Sequence, residues 1–239
     1  PNPSGAAGVR GVMTNPSGEQ YIIPGKKFLS RYEATSEVGV YQAKGAASQS
    51  ASYTNLANPG TYDLTPGVAP TWATGTGWTF SGGATYLKTG IFPQLNGNWS
   101  MFVRLASNST GISSGWTGCR ITGTRYFLIE AARSFDNNVY YLADGTGLGV
   151  APAVANGVLG IAGGNCYRNG SLDGTLTPSN DVTNTTIDIY LGGLNNQGSF
   201  VPAFGTWAGY SFVIVACAVY NAALASGQAS ALTTAMNAL

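Results

Sequence analysis

The chain has 239 residues, room for one large β domain or a domain with an appendage, and 44% of them are hydrophobic, so a sizeable core can be buried. Charged residues make up only 9% and the net charge is +1, against about 25% charged residues in ordinary globular proteins. With no basic run or stripe, this balance excludes an electrostatic nucleic-acid interface.

Residues 1–48 differ from the rest. The tetrapeptide "NPSG" occurs at 2–5 and again at 15–18, and Asn-Pro and Ser-Gly are turn chemistry. Five of the eleven basic residues fall here, Arg10, Lys26, Lys27, Arg31 and Lys44. The runs "EQYIIPG" and "EVGVYQA" each read as a strand. The segment is expected to be an N-terminal arm or docking segment that ties the domain at 49–239 into a larger assembly, with "KGAASQSAS" (44–52) as a linker. The opening "PNPSGAAGVR" lacks the apolar stretch of a secretion leader. The chain does not start with Met, as expected of a processed product or a fragment.

From about residue 50 the pattern is β. Strands are predicted at 61–64, 77–80, 84–88, 99–105, 118–122, 126–131, 138–143, 157–162, 165–168, 186–191 and 207–219. Asn96-Gly97, Asp144-Gly145, Asn156-Gly157, Asn169-Gly170 and Asp173-Gly174 supply the positive φ angles of tight hairpin turns. The fold class is therefore all-β, an antiparallel β-sandwich of jelly-roll type. "YSFVIVACAVY" is apolar almost throughout, as expected of a central strand covered on both faces. Its strongly apolar part, 212–219, is far short of the roughly 20 residues of a membrane span. After it, Leu224, Ala231, Leu232, Ala235 and Leu239 recur at helical spacing, predicting a short C-terminal helix that closes one end of the sandwich.

Four stretches carry a resemblance: "GWTFSGGATYLKTG" (77–90), "NGNWSMFVRL" (96–105), "GVLGIAGGNCYRNGSLDGTL" (157–176) and "IYLGGLNNQGSFVPAFGTWAGYSFVIVACAVYNAALASGQASAL" (189–232). In order and spacing they resemble the concanavalin A-like lectin/glucanase superfamily, in its laminin-G-like branch, over residues 53 to 239. The resemblance implies two antiparallel sheets packed face to face, with a concave face and rim loops that often bind sugar or protein. It also implies calcium at the rim in some members and glycosidase activity in others. Fold membership alone does not fix function.

The residues themselves narrow the chemistry. The chain has no histidine, which removes Ser-His-Asp and Cys-His catalysis and His-based metal sites. Its three cysteines, Cys119, Cys166 and Cys217, make no disulfide framework; Cys217 reads as a buried small hydrophobe, and a Cys119–Cys166 bridge stays open. "GTGLG" (145–149) lacks the context of a nucleotide loop. Glycoside hydrolysis needs two carboxylates across the scissile bond. The nearest match to the glucanase strand is "EATSE" (33–37), with Thr35 in place of the central Asp and outside the resembling region. The chain is therefore expected not to be an enzyme.

Calcium is the one cofactor left open, with Asp136, Asp144 and Asp181 in predicted loops as its weak candidates; turn-forming Asx residues explain the same positions. Sugar binding needs exposed aromatics to stack on sugar faces and amides or carboxylates for the hydroxyls. Trp72 and Trp116 lie in Gly/Thr/Ser-rich segments that read as loops. Tyr126, Glu130 and Tyr140 fall in strands, and Asn195 and Asn196 in the loop after "LGG". Core packing explains each aromatic singly; as a set they outline a binding face.

Two functions of different class follow. The first is a non-enzymatic structural and interaction protein of a virus particle, on a bacteriophage capsid or tail, partnered by other virion proteins through the arm, homo-oligomeric, and able to touch a host glycan. The second is a carbohydrate-binding module of a secreted or cell-surface protein. No nucleic-acid or membrane partner is expected.

Overall fold

The structure is a computed structural model that describes residues 36–81, 83–94, 97–110, 113–179, 185–202 and 211–239, and the backbone of 12–14 and 20–22. In chain order the strands begin with β1 (Val12–Thr14), β2 (Gln20–Ile22) and β3 (Glu37–Gln42), then helix α1 (Gln49–Ser52). Next come β4 (Thr65–Val68), β5 (Thr71–Ala73), β6 (Gly77–Ser81), β7 (Tyr86–Lys88) and β8 (Ser100–Ser107). Then follow β9 (Ser114–Arg120), β10 (Tyr126–Ala132), β11 (Val139–Ala143), β12 (Thr146–Val150), β13 (Gly157–Ala162), β14 (Asn165–Arg168) and β15 (Ser171–Thr175). The chain ends with β16 (Tyr190–Leu191), β17 (Gly193–Asn196), β18 (Ser199–Pro202), β19 (Ser211–Tyr220) and helix α2 (Ser226–Asn237).

Two sheets make the sandwich. The front sheet runs β12-β11-β10-β9-β16-β7-β4, with β17 and β18 joined to it beside β9. The back sheet runs β15-β14-β13-β8-β19-β6-β5, with β3 on β19. All pairings are antiparallel except β17 with β9. β1 and β2 form a separate two-stranded ribbon.

Alternation sets the core. In β10, Phe127, Ile129 and Ala131 point inward, and from the facing sheet Met101, Val103, Leu105, Leu159 and Ile161 meet them in one buried cluster. The last strand is covered on both faces, as its composition predicts, but with a change of phase. Phe212 and Ile214 point inward, Val215 and Ala216 both point outward, and Cys217 and Val219 point inward again. The register of β19 against β8 shifts at the same place, the signature of a β-bulge.

Helix α2 covers the outer face of the back sheet, burying Ala229, Leu232 and Met236 against Phe102, Val158, Ala218 and Tyr220. It therefore lies on a sheet face rather than over an end of the sandwich. Ala231, expected on its apolar face, is exposed, and Ala229, Thr233 and Met236 are buried instead. The Ala225 N–H donates to Gln228 Oε1 at 2.9 Å and closes the first turn.

The boundary drawn at residue 48 falls inside the sandwich. β3 pairs with β19, Val40 and Tyr41 are wholly buried, and the Tyr41 hydroxyl donates to Tyr62 O at 2.6 Å. Buried Asn55 locks this strand in place, accepting from Val40 N at 2.9 Å and donating to Val38 O at 2.9 Å and Thr61 O at 2.8 Å. The expected linker at 44–52 contains α1, whose buried Ser52 accepts from Trp78 Nε1 at 2.8 Å. "EQYIIPG" contains β2; both "NPSG" repeats, Arg10, Lys26, Lys27, Arg31, Glu33 and Asp181 lie outside the described residues.

The predicted strands at 157–162 and 165–168 match β13 and β14 residue for residue. The segment 61–64 is not a strand; β4 follows it at 65–68. Only residues 190–191 of 186–191 are extended in a ladder. Asp173-Gly174 is not a second turn: Asp173 is the extra residue of a bulge, because Cys166 pairs with Gly174 and Tyr167 with Leu172.

Candidate binding face

The outer face of the front sheet has no helix covering it among the described residues. Register brings three of the expected sugar-binding residues into one row across it. Glu130 stands directly opposite Trp116 on β9 and directly opposite Tyr140 on β11, and Gly149 on β12 completes the row beside Tyr140. Opposed side chains on one face are neighbours at about 5 Å between Cβ atoms. Leu128 and Ala132, buried, form the floor on either side of Glu130.

Glu130 is the unusual member. Only 6% of the residue is exposed, and its Oε1 has no partner at hydrogen-bonding geometry; nor does the Trp116 Nε1. Burial pushes its carboxyl up to about 7. The Ser113 hydroxyl and the Trp116 indole on its flank, and the more distant Arg133 charge, pull it down by less, and Asp136 pushes it up.

A stack borders the row. The Arg133 guanidinium carbon lies 3.6 Å from the Tyr140 ring centroid and 4.0 Å from that of Phe135. Its Nε donates to Asp136 Oδ1 at 3.1 Å, and Nη2 is also bonded to Oδ2. This pair holds the Asp136 carboxyl below its usual range and the Arg133 guanidinium above its own. Phe135 is 78% exposed and offers its ring as a stacking surface. Its flanking arginine and aspartate, "RSFD", were the available signal for it, since an apolar ring between two paired charges has no core to enter.

The other expected residues are elsewhere. Tyr126 shares the outer face, four residues along β10 from Glu130, with Arg120 stacked 5.1 Å from its centroid. Trp72 is not in an exposed loop. It sits on edge strand β5 of the back sheet, half-buried, and its indole donates to Ala43 O at 2.9 Å. Trp116 likewise is in a strand and only partly exposed. Asn195 is 2% exposed. It donates to Asp188 O and Oδ1 at 2.9 and 2.8 Å and accepts from Gly198 N at 2.9 Å, so it braces the β17–β18 hairpin and is closed to a ligand. Asn196, on the same strand, meets Arg120 in register and not the row.

The two described calcium candidates, Asp136 and Asp144, are committed to protein partners. Asp136 is held by Arg133, and buried Asp144 by Arg125 Nε at 2.7 Å and by the Ser179 hydroxyl. No group of three or more Cys, Asp or Glu residues among the described residues could hold a metal. Cys119, Cys166 and Cys217 are buried free thiols, and burial pushes Cys166 and Cys217 up to about 12. Among the described residues no helix is long and apolar enough to cross a membrane.

Fold and face together define the class, a two-sheet jelly-roll β-sandwich whose front sheet carries no helix on its outer face among the described residues. No protein-family model matches the chain, and no curated protein matches its sequence. Solved structures do. Trypanosoma rangeli sialidase matches with a TM-score of 0.57 at 12% identity, over 87% of this chain and 34% of that one. HCR/D, in a mutant form, matches with a TM-score of 0.55 at 11% identity, over 83% and 51%. Domain 4 of AbnA, a GH43 extracellular arabinanase from Geobacillus stearothermophilus solved with arabinotriose, matches with a TM-score of 0.52 at 16% identity, over 83% and 98%. This chain spans about a third of the sialidase's length. At these identities the likeness is one of fold.

Proposed function

We propose that this β-sandwich is a non-enzymatic binding domain that takes a glycan on the outer face of its front sheet. The observation that carries this is the Trp116–Glu130–Tyr140 row, aromatic and carboxylate side chains aligned beside the exposed Phe135 ring on a sheet face that no described helix covers. A hydrolase needs a second carboxylate free to act with Glu130. The neighbouring one, Asp136, is clamped by Arg133. A titration against an immobilised glycan panel tests the reading: Trp116→Ala and Phe135→Ala should each abolish or strongly weaken the binding seen, with no reducing sugar released by the parent chain.

We further propose a virus particle, a phage capsid or tail, as the setting. The 9% charge, the Asn/Thr/Ser/Gly-rich composition and an N-terminal segment suited to docking by strand addition support it. The fit to a complete domain of an extracellular arabinanase favours a second setting, a module of a secreted or cell-surface protein. Quantitative proteomics of purified particles against culture supernatant and cell surface separates the two, since a virion protein is enriched at fixed stoichiometry with the capsid.

A further inference from the structure

We propose that the face selects an uncharged glycan over an acidic one, and that Glu130 is the residue that imposes the choice; this rests on the glycan reading above. The charges around the row decide it. Trp116 and Ser113, from β9 and the residue before it, and Tyr140 from β11 bring no formal charge at neutral pH. The segment after β10 brings Arg133 and Asp136, which are paired with each other. Among the described residues around the row, Glu130 is thus the charge left uncompensated.

The other arginine of the face, Arg120, is four residues from Trp116 along β9, about 13 Å, beyond the ~8 Å screening length of physiological salt. Its guanidinium is spent on Thr122 O and Gly123 O at 3.2 and 2.7 Å. Among the described residues, an acidic sugar at the row would therefore meet a desolvated, poorly screened carboxylate and no unpaired cation beside it. A neutral sugar meets none of that repulsion. Where Glu130 and the Trp116 indole open toward it, one hydroxyl can donate to the unpartnered Oε1 and accept from the unpartnered Nε1.

Because the carboxyl titrates near 7, the preference is itself pH-dependent. Charged above that value, Glu130 discriminates; protonated below it, the repulsion is gone. Galacturonate and sialic acid stay ionised at pH 5.5, so the ligand does not confound the change.

The test measures affinity at constant 0.15 M salt for neutral hexaoses (arabinan, xylan, galactan and glucan fragments), for oligogalacturonate of the same length, and for sialyllactose. At pH 8 the intact chain should bind a neutral hexaose at least about ten-fold more tightly than either acidic probe, about 1.4 kcal/mol. Glu130→Gln at pH 8, and the unmutated chain at pH 5.5, should each bring the ratio to within about two-fold. The pH arm stands even if the variant does not fold. Equal or tighter binding of an acidic probe at pH 8 overturns the proposal, as does a ratio that neither manipulation moves. In those cases loss of binding in Trp116→Ala would leave the glycan reading standing. Binding of no probe at all overturns the glycan reading and this inference with it.

Discussion

Arg168 and Asp173 form an ion pair across the β14–β15 hairpin, with Arg168 Nε donating to Asp173 Oδ2 at 2.9 Å. The bulge lets them meet, since the extra residue it inserts is Asp173. The same carboxylate oxygen lies 3.0 Å from the Tyr141 hydroxyl, which comes from the inner face of the opposite sheet. Arg168 also donates to Pro152 O at 2.8 Å and Val150 O at 3.1 Å. Arg168 and Asp173 together thus tie the two sheets.

Asp173→Asn should therefore destabilise the sandwich although it lies far from the binding row. Weakening a part-buried ion pair and a hydroxyl contact together costs about 2 kcal/mol. That corresponds to a fall in Tm of about 4–8 °C for a chain of this length. A Tm within 1 °C of the parent would contradict the tie.

Gly170→Val should impair folding before it alters any binding. Asn169 and Gly170 both take positive φ, 51° and 83°, and valine resists that region. A loss of about 1–3 kcal/mol is expected by urea titration. An unchanged unfolding midpoint would show that the turn can be made another way.

Glu130 should make stability fall as pH rises. Its native carboxyl titrates at about 7 against an ordinary 4.5, so between those values the folded state binds more protons than the unfolded one. By linkage, stability then drops through this window. Glu130→Gln removes the effect, so relative to the parent it should gain on going from pH 4 to pH 8, by about 3 kcal/mol at most. A difference that is constant with pH would mean the carboxyl is better solvated than its burial implies.

A chain begun at residue 49 should fail to fold or melt far below the full protein, because it lacks β3, Val40 and the wholly buried Tyr41. One begun at Ser36 keeps those contacts. Circular dichroism of the two truncations separates them, and equal melting would put β3 outside the cooperative unit.

What the sequence shows and hides follows from where local signals compete with sheet geometry. The β13–β14 hairpin is legible to the residue because a short apolar run, a Gly-Gly turn and a second run agree. Trp116 reads as a loop residue because "SSGWTG" is rich in glycine. Yet Gly118 serves close approach between strands: a Cβ there would lie 2.1 Å from Phe127 O, and its φ is 150°. The Asn195 amide looks like a surface group because its neighbours Gln197 and Gly198 do form a turn, and only the fold shows that it bonds inward. The row itself needs strand register, which spacing along one strand cannot supply. Phe135 escapes notice because an exposed ring has no periodicity to mark it.

The phase change in β19 separates hydropathy from size. Every residue from Phe212 to Tyr220 is apolar or nearly so, so a slip of one position would place no charge in either interior. At four positions bulk tells the faces apart. Phe212 and Ile214 fill the space between the sheets, whereas Ala216 and Ala218 belong to the outer cluster beside α2, which packs over β13 and β8. Exchanges among apolar residues in this strand are thus constrained by volume, one side intolerant of loss and the other of gain.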